Sequence, residues 1–390
     1  MKSQFDKIVD RRGTGALKTD VIKETFGKED LIPLWIADMD FETPDVVRKA
    51  VEERLKHQIY GYTGAQAGYW QSIIQWERDI NDWKIKREHL AYIPGIVRGI
   101  TFAIHCFTSP GDLVMVQPPV YMPFMNLVKN NGRRLVFNPL KFAGGNYEMN
   151  LDEMESICSE LKPKMFILCN PHNPSGRVWS AETLAKVADI CCRHNVLVIS
   201  DEIHGDMPLF GHRYTPFQKV SDTAADISIC FKAPSKTFNI AGFASSHCIV
   251  PNPRIRKTFF DYMEANELDS PLFISAVATE AAYKGARKWR EEMLEYVEEN
   301  VNFVEDYLRE HMPLLSIVRP QASFLIWLNC SKLALDHDSL VSLFIDKAGL
   351  ALNDGEAFGP GGEGFMRMNV GCPRSVLEKA LGQLEKALEK

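Results

Sequence analysis

The sequence has no apolar run approaching the about 18 residues of a membrane-spanning helix, so no such span is expected. It also has no Cys-x-x-Cys pair. Its 9 cysteines are an odd number and, apart from Cys191-Cys192, stand singly, mostly in apolar stretches such as Phe166-Ile167-Leu168-Cys169. They read as small reduced core residues, not as a disulfide framework. The 10 histidines form no HExxH and no Cys/His cluster of zinc spacing, so no metal is expected. Positive charge is not in excess: Lys+Arg total 45 against 51 Asp+Glu, a net charge of −6, which excludes a bulk basic surface for nucleic acid or anionic membrane. The opening Met1-Lys2-Ser3-Gln4-Phe5-Asp6 lacks the apolar core of a secretory signal, and a cytoplasmic location is expected. Internal repeats, low-complexity tracts and long Pro/Gly/Ser linkers are missing too. What remains is 390 residues, 45% hydrophobic and 25% charged, the mix of a globular protein with a sizeable core. At about 150 residues per domain that is room for two to three domains.

Short apolar runs alternate with amphipathic stretches through the middle of the chain. Strands are predicted at Leu113–Gln117, Leu135–Leu140, Met165–Asn170, Val196–Ser200, Asp226–Phe231 and Ser246–Val250. Helical periodicity fills Gly95–Phe107 and Ala181–His194. This alternation predicts an α/β domain of three αβα layers around a mostly parallel sheet. Ser270-Pro271 then opens a long, charged helical region to about His311. Beyond it lie candidate strands at Leu315–Pro320, Ser323–Asn329 and Phe365–Val370, a helix near Ser339–Lys347 and another after Pro373. These predict a smaller α+β domain. Gly355–Gly364 is the most glycine-rich stretch and reads either as a surface loop or as a functional one.

Four places carry chemistry. Lys236 follows a predicted strand within Phe231-Lys232-Ala233-Pro234-Ser235-Lys236-Thr237-Phe238-Asn239. A loop lysine is ordinarily solvated. In apolar surroundings it loses proton affinity and becomes a nucleophile or base, suited to Schiff-base chemistry. Asp201 directly follows Val196-Leu197-Val198-Ile199-Ser200. It is either a cap or loop carboxylate, or a ligand group beyond a strand's carboxyl end, where open α/β sheets bind. There it could hold a protonated ring nitrogen. A metal site from Asp201, Glu202, His204 and Asp206 lacks further ligands. Asn170-Pro171-His172-Asn173-Pro174-Ser175-Gly176 is a turn that also offers the Asn173 amide to a ligand. Pro94-Gly95-Ile96-Val97-Arg98-Gly99 opens a helix whose backbone N–H groups make an anion site, a weak signal by itself. Tyr121, in Pro118-Pro119-Val120-Tyr121, is a core aromatic or a surface to stack on a flat cofactor.

In this order, Asn-Pro-x-Asn-Pro-x-Gly, Asp201 and then Ser235-Lys236 resemble the fold-type I pyridoxal phosphate enzymes, the aspartate aminotransferase-like superfamily. The match is in register across nearly the whole chain. It is closer still to the MalY/PatB-type cystathionine β-lyases, or C–S lyases. The segments that carry this are Pro33-Leu34-Trp35-Ile36-Ala37-Asp38-Met39-Asp40-Phe41, Tyr60-Gly61-Tyr62, Ser235 to Gly242, and Phe365-Met366-Arg367-Met368-Asn369-Val370-Gly371-Cys372-Pro373.

The resemblance implies pyridoxal 5'-phosphate as cofactor, held by Lys236, which would also shuttle protons. Asp201 would bind the ring nitrogen, with Tyr121 and Ile203 on the two ring faces. Asn173 and His204, where relatives often have Tyr, would meet the ring oxygen. The amides of Ile96 and Val97 with Ser235 would cradle the phosphate, joined by Tyr62 of a second subunit, so a homodimer is expected. Arg367 would grip the substrate carboxylate as a bidentate fork, helped by the Ala37 amide. Two positions depart from the wider superfamily: Ala233 where a phosphate-binding Ser or Thr is common, and Ala244 where aminotransferases carry an Arg. The implied activity is β-elimination at a C–S bond of cystathionine, cysteine or related S-substituted cysteines, giving pyruvate, ammonia and a thiol. Transamination uses the same residues, and a regulatory role through a partner is the alternative of another kind. The implied organisation is an N-terminal segment, 1–45, joining a small domain at 285–390, with a large cofactor domain at 46–284.

Overall fold

All six predicted strands of the middle region join one sheet, whose two faces are both covered by helices. The computed structural model describes residues 3–389. Met1, Lys2 and Lys390, which the expected segments 1–45 and 285–390 include, lie outside the described residues. The sheet has seven strands: β1 (Leu90–Ile93), β2 (Leu113–Val116), β3 (Arg134–Phe137), β4 (Met165–Cys169), β5 (Leu197–Asp201), β6 (Ser228–Lys232) and β7 (Ser246–Ile249). Their order is β1-β7-β6-β5-β4-β2-β3. Only β7 runs antiparallel to its neighbours.

Side chains alternate between two buried layers, as the two-residue period of a strand requires. Met115, Phe166, Leu168 and Val198 pack with Met154, Leu184 and Val187, which come from helices at Leu151–Glu160 and Ala181–Arg193. Val114, Val116, Ile167, Ile199 and Phe231 face the other way. They meet helix α1 (Ile96–Phe107), through Ile100 and Ile104, and α2 (Met122–Asn130), through Phe124 and Val128. Helix α1 lies so close that a Cβ on Gly99 would stand 2.7 Å from both Ile93 and Phe231.

The order places β3 outside β2 and β4 on its other side, so the chain changes direction across the sheet between β2 and β4. Such a switch point leaves a crevice at the carboxyl ends of the strands. Tyr121, after β2, and Asn173, after β4, meet there: the Tyr121 amide donates to the Asn173 carbonyl at 3.0 Å.

The C-terminal part forms an antiparallel sheet of β8 (Ser316–Val318), β9 (Leu325–Asn329), β10 (Asn353–Asp354) and β11 (Phe365–Asn369), in the order β8-β9-β11-β10. Helix α3 (Arg374–Leu388) buries Leu377, Leu381 and Leu384 in the same core. Ile32–Pro33 pairs in parallel with Leu350–Ala351, tying the N-terminal segment to this unit.

Four details differ from the sequence reading. The helical region before His311 is two helices, Phe273–Gly285 and Arg287–His311, which break at Ala286. The helix near Ser339–Lys347 is an α-turn at His337–Ser342 followed by a π-turn at Leu343–Lys347. Strand β1 and a hairpin of Lys141–Ala143 with Asn146–Glu148 were not expected. Gly355–Gly364 is partly packed: Phe358 is buried, and its carbonyl accepts from the Val120 amide at 2.8 Å.

Candidate active site

A cavity of about 340 Å³ opens where β4, β5 and β6 end. Ten of the twelve residues singled out in the sequence line it: Ala37, Ile96, Val97, Tyr121, Asn173, Asp201, Ile203, His204, Ser235 and Lys236. Parallel register explains the gathering. Cys169 pairs with Asp201, and Asp201 with Phe231, so the loops after the three strands leave the sheet at one level.

Lys236 sits in a tight turn after β6, fixed by Phe238 N–H donating to the Pro234 carbonyl at 2.9 Å and Ile240 N–H to the Ser235 carbonyl at 2.9 Å. Its Nζ donates to the Ala37 carbonyl at 2.5 Å. Burial pulls its proton affinity down to about 8, against the opposing pull of Asp38 and Asp201. A lysine so placed is neutral in about a tenth of molecules at about pH 7, far more often than an ordinary lysine, and a nucleophile or base needs that neutral form.

Asp201 is the last residue of β5, and its Oδ1 accepts from the Ile203 amide at 3.0 Å. Burial pushes its carboxyl up to about 7, and the neighbouring Glu202 charge adds to this. A carboxylate there costs free energy unless a cation meets it. Burial holds His204 at about 3, reinforced by the charges of Lys236 and Arg367, so its imidazole is neutral. His204 Nδ1 is buried without a hydrogen-bond partner. Burial also raises the Tyr121 phenol, which stays protonated with its ring edge-on to Phe124 at 5.6 Å.

At the other end of the cavity lies the start of α1, where free backbone N–H groups and the helix dipole favour an anion. Gly95 caps the helix at φ +117°, a conformation L side chains rarely adopt, and no heavy atom lies within 4 Å of where a Cβ would stand.

Two of the twelve residues do not line the cavity. Arg367, on β11, is buried beside it. Its Nη1 donates to Asn173 Oδ1 at 3.0 Å, and Nη2 donates to the Trp35 carbonyl at 3.0 Å and Asn353 Oδ1 at 2.6 Å. Burial lowers it to about 10, and its Nε has no partner. Tyr62 is fully exposed, away from its own chain's cavity. For Ala37, the atom that meets Lys236 is the carbonyl oxygen.

The cavity also takes in Arg98, from the predicted anion-binding helix start, and Ala244, one of the two departing positions, together with Cys169, Ala241, Ser245 and Ser246, which the sequence reading did not nominate. Cys169 could have been found as the residue ending β4. Ser245 and Ser246 arrive because β7 is antiparallel, which brings its first residues level with the carboxyl ends of the others. Ala244 adds no charge to the wall, whereas Arg98 adds a cation at the mouth. Among the described residues, no group of three or more His, Cys, Asp or Glu is placed to hold a metal ion. No helix among them is long and apolar enough to cross a membrane.

The chain resembles known proteins along nearly its whole length. The chain is 42% identical to the cystathionine beta-lyase PatB of Bacillus subtilis (strain 168), over 98% of this chain and 99% of that protein. It is 30% identical to the protein MalY of Escherichia coli (strain K12), over 98% of both. Among solved structures, cystalysin from Treponema denticola, which contains a pyridoxal 5'-phosphate cofactor, superposes with a TM-score of 0.96 at 32% identity, over 100% of this chain and 99% of that one. The profile of the aminotransferase class I and II family matches residues 29–384, and the chain belongs to that family.

Proposed function

We propose that the protein is a pyridoxal 5'-phosphate-dependent carbon–sulfur β-lyase, acting on cystathionine, cysteine or related S-substituted cysteines. One observation carries the reading: a lysine of lowered proton affinity and a buried carboxylate face one cavity whose far end is a glycine-capped helix start. The full-length likeness to a cystathionine beta-lyase supports the choice of substrate class.

The residues fit the cofactor. Asp201 needs a cation, His204 Nδ1 needs a hydrogen-bond partner, and the start of α1 suits a phosphate. In this reading Lys236 holds the cofactor and Asp201 keeps a proton on its ring nitrogen. Tyr121 and Ile203 cover the ring faces, while Asn173 and His204 meet the ring oxygen. Ile96, Val97 and Ser235 bind the phosphate. When bound, the cofactor supplies an electron sink for the charge left at the substrate's α-carbon.

The rest belongs to the protein. Arg367 orients the substrate by its carboxylate, and Asn173 holds the guanidinium in place. Lys236 Nζ takes the α-proton, which a neutral amine in a buried site does well. The C–S bond then breaks with both electrons leaving on sulfur. Overall one water is consumed, and one thiol, one pyruvate and one ammonium are released per substrate. The opposite choice, transamination, would draw on the same residues.

The reading extends to organisation. A segment at 1–45 joins the small domain at 285–390, the cofactor domain occupies 46–284, and the protein works in the cytoplasm as a two-fold homodimer. The exposure of Ile59 and Tyr62, with Tyr60 stacked on Phe273 next to the exposed Leu272, supports a partner subunit there. The experiment is thiol release from L-cystathionine by the cofactor-loaded protein. Lys236→Ala should abolish both the release and the visible absorbance of bound cofactor. Normal turnover by that variant would overturn the proposal.

A further inference from the structure

The segment Trp35–Phe41 forms a strap between the two units, and side chains from three parts of the chain hold its backbone. Arg367 donates to the Trp35 carbonyl. Asn369 donates to the carbonyls of Ile36 and Asp38 at 2.7 and 2.6 Å. Asn239, three residues after Lys236, donates to those of Met39 and Phe41 at 2.9 and 2.7 Å. The carbonyl of Ala37, between those held by Asn369, meets Lys236 Nζ.

The strap's two carboxylates are clamped from the N-terminal side. Arg11 reaches both oxygens of Asp38, at 2.9 and 2.7 Å, and Asp40 Oδ1 at 2.9 Å. Lys18, wholly buried, donates to Asp40 Oδ2 at 2.8 Å and to the Asp38 carbonyl at 3.1 Å. Two cations balance two carboxylates, one residue away from the atom that receives Lys236.

We propose that Asp38 is a positioning residue for Lys236: clamped by Arg11 and Lys18, it favours the ammonium at the Ala37 carbonyl, and Arg11 sets how much of its negative charge reaches the lysine. Asp201 from the end of β5, Arg367 from β11 and the neutral His204 also face Lys236. Among these charges Asp38 acts on the lysine most strongly, ahead of Arg367 and Asp201.

The inference rests on Lys236 being the residue that takes up the cofactor. Uptake consumes the neutral amine, so its rate against pH reads the lysine's proton affinity without any turnover. The test strips the cofactor from the full-length protein and follows the return of visible absorbance on adding pyridoxal 5'-phosphate between pH 6 and 10, a span of roughly two pH units to either side of the lysine.

Arg11→Met leaves an unbalanced negative charge and should move the midpoint up by about one pH unit. Asp38→Asn leaves a positive charge and should move it down by about as much. Arg11→Lys keeps the charge and should restore the wild-type midpoint, as should the neutral pair Arg11→Met/Asp38→Asn. A strap that were merely loosened would shift both single variants the same way, with the pair worse than either. That result, or no shift in either, overturns the proposal. Should Arg11→Met fail to fold, the sign of the Asp38→Asn shift decides alone. Lys236→Ala must take up no absorbing cofactor. If it does, Lys236 is not the residue that takes up the cofactor, and both that reading and the proposal for Asp38 fall, whereas failure of the charge shifts alone overturns only the latter.

Discussion

Replacing Asp201 by Asn should stabilise the cofactor-free protein, and only above acidic pH. The side chains have the same shape, so packing is unchanged and the difference is charge. Asp201 titrates at about 7 in the folded chain against 3.8 for an ordinary aspartate, because burial penalises the carboxylate. A shift of that size sets a ceiling of about 4 kcal/mol on the cost of ionised Asp201. Relaxation and water entry reduce it, and about 2 kcal/mol is expected at pH 8. The sign follows from proton binding. Between pH 4 and 7, roughly, the folded chain holds a proton at Asp201 that the unfolded chain has lost, so stability falls as pH rises through that window. Urea unfolding of both cofactor-free proteins at about pH 3.5 and about pH 8, on either side of the window, checks this. Burial also pushes the Glu77 carboxyl above the usual range and contributes a slope of the same sign, so the quantity to read is wild type minus variant. The two should match at the lower pH and separate at the higher, with Asp201→Asn the more stable. Adding pyridoxal phosphate should favour the wild type, whose carboxylate then meets a positive ring nitrogen. Equal stabilities at pH 8 would refute the reasoning.

Arg367→Ala should raise KM for the amino-acid substrate by tenfold or more, roughly the worth of one lost charge-assisted contact, and change kcat less. An unchanged KM would remove Arg367 from carboxylate binding. Lys232 is buried between Glu77, at 2.7 Å, and Asp206, at 3.5 Å. Lys232→Met strands both carboxylates and should cost about 3–5 kcal/mol in unfolding free energy, read by urea denaturation. If Tyr62 completes a neighbour's cavity, Lys236→Ala and Tyr62→Ala chains, each poorly active alone, should regain activity when mixed and allowed to exchange subunits. In the mixed dimer one cavity has an intact Lys236 and receives an intact Tyr62. No recovery in demonstrated heterodimers would place Tyr62 outside the site.

The parts of this molecule legible in its sequence are those buried on two sides. Strands β4, β5 and β6 are continuous apolar runs because helices cover both faces, and the residues just beyond them fall at the binding edge of any parallel sheet. That is why Asn173, Asp201 and Lys236 could be named before the fold was seen. Strand β1 has no sequence signature because its four residues follow the charged Arg87-Glu88-His89 with no turn signal before them, although Pro94-Gly95 marks their end. Strand β10 is Asn353-Asp354, polar and two residues long, and exists only because β11 presents a partner to it. The cavity's own chemistry was half visible. Ser245 and Ser246 carry no local signal, since their place depends on β7 running antiparallel, a property of topology and not of residue type. Nor does any pattern in the sequence show that Arg367 lies behind Asn173, or that the Ala37 carbonyl meets Lys236. Both follow from how the strap Trp35–Phe41 is threaded between the two units.

The choice between elimination and transamination rests on one product measurement. The cofactor-loaded protein is given L-cystathionine with no 2-keto acid present, and pyruvate, ammonia and free thiol are counted over many turnovers. A carbon–sulfur lyase releases all three in equal amounts, without limit by enzyme concentration. Release of none of the three, with the intact substrate converted to its own 2-keto acid at one equivalent per active site and turnover resuming only when an acceptor 2-keto acid is added, would contradict the lyase reading and make the protein an aminotransferase.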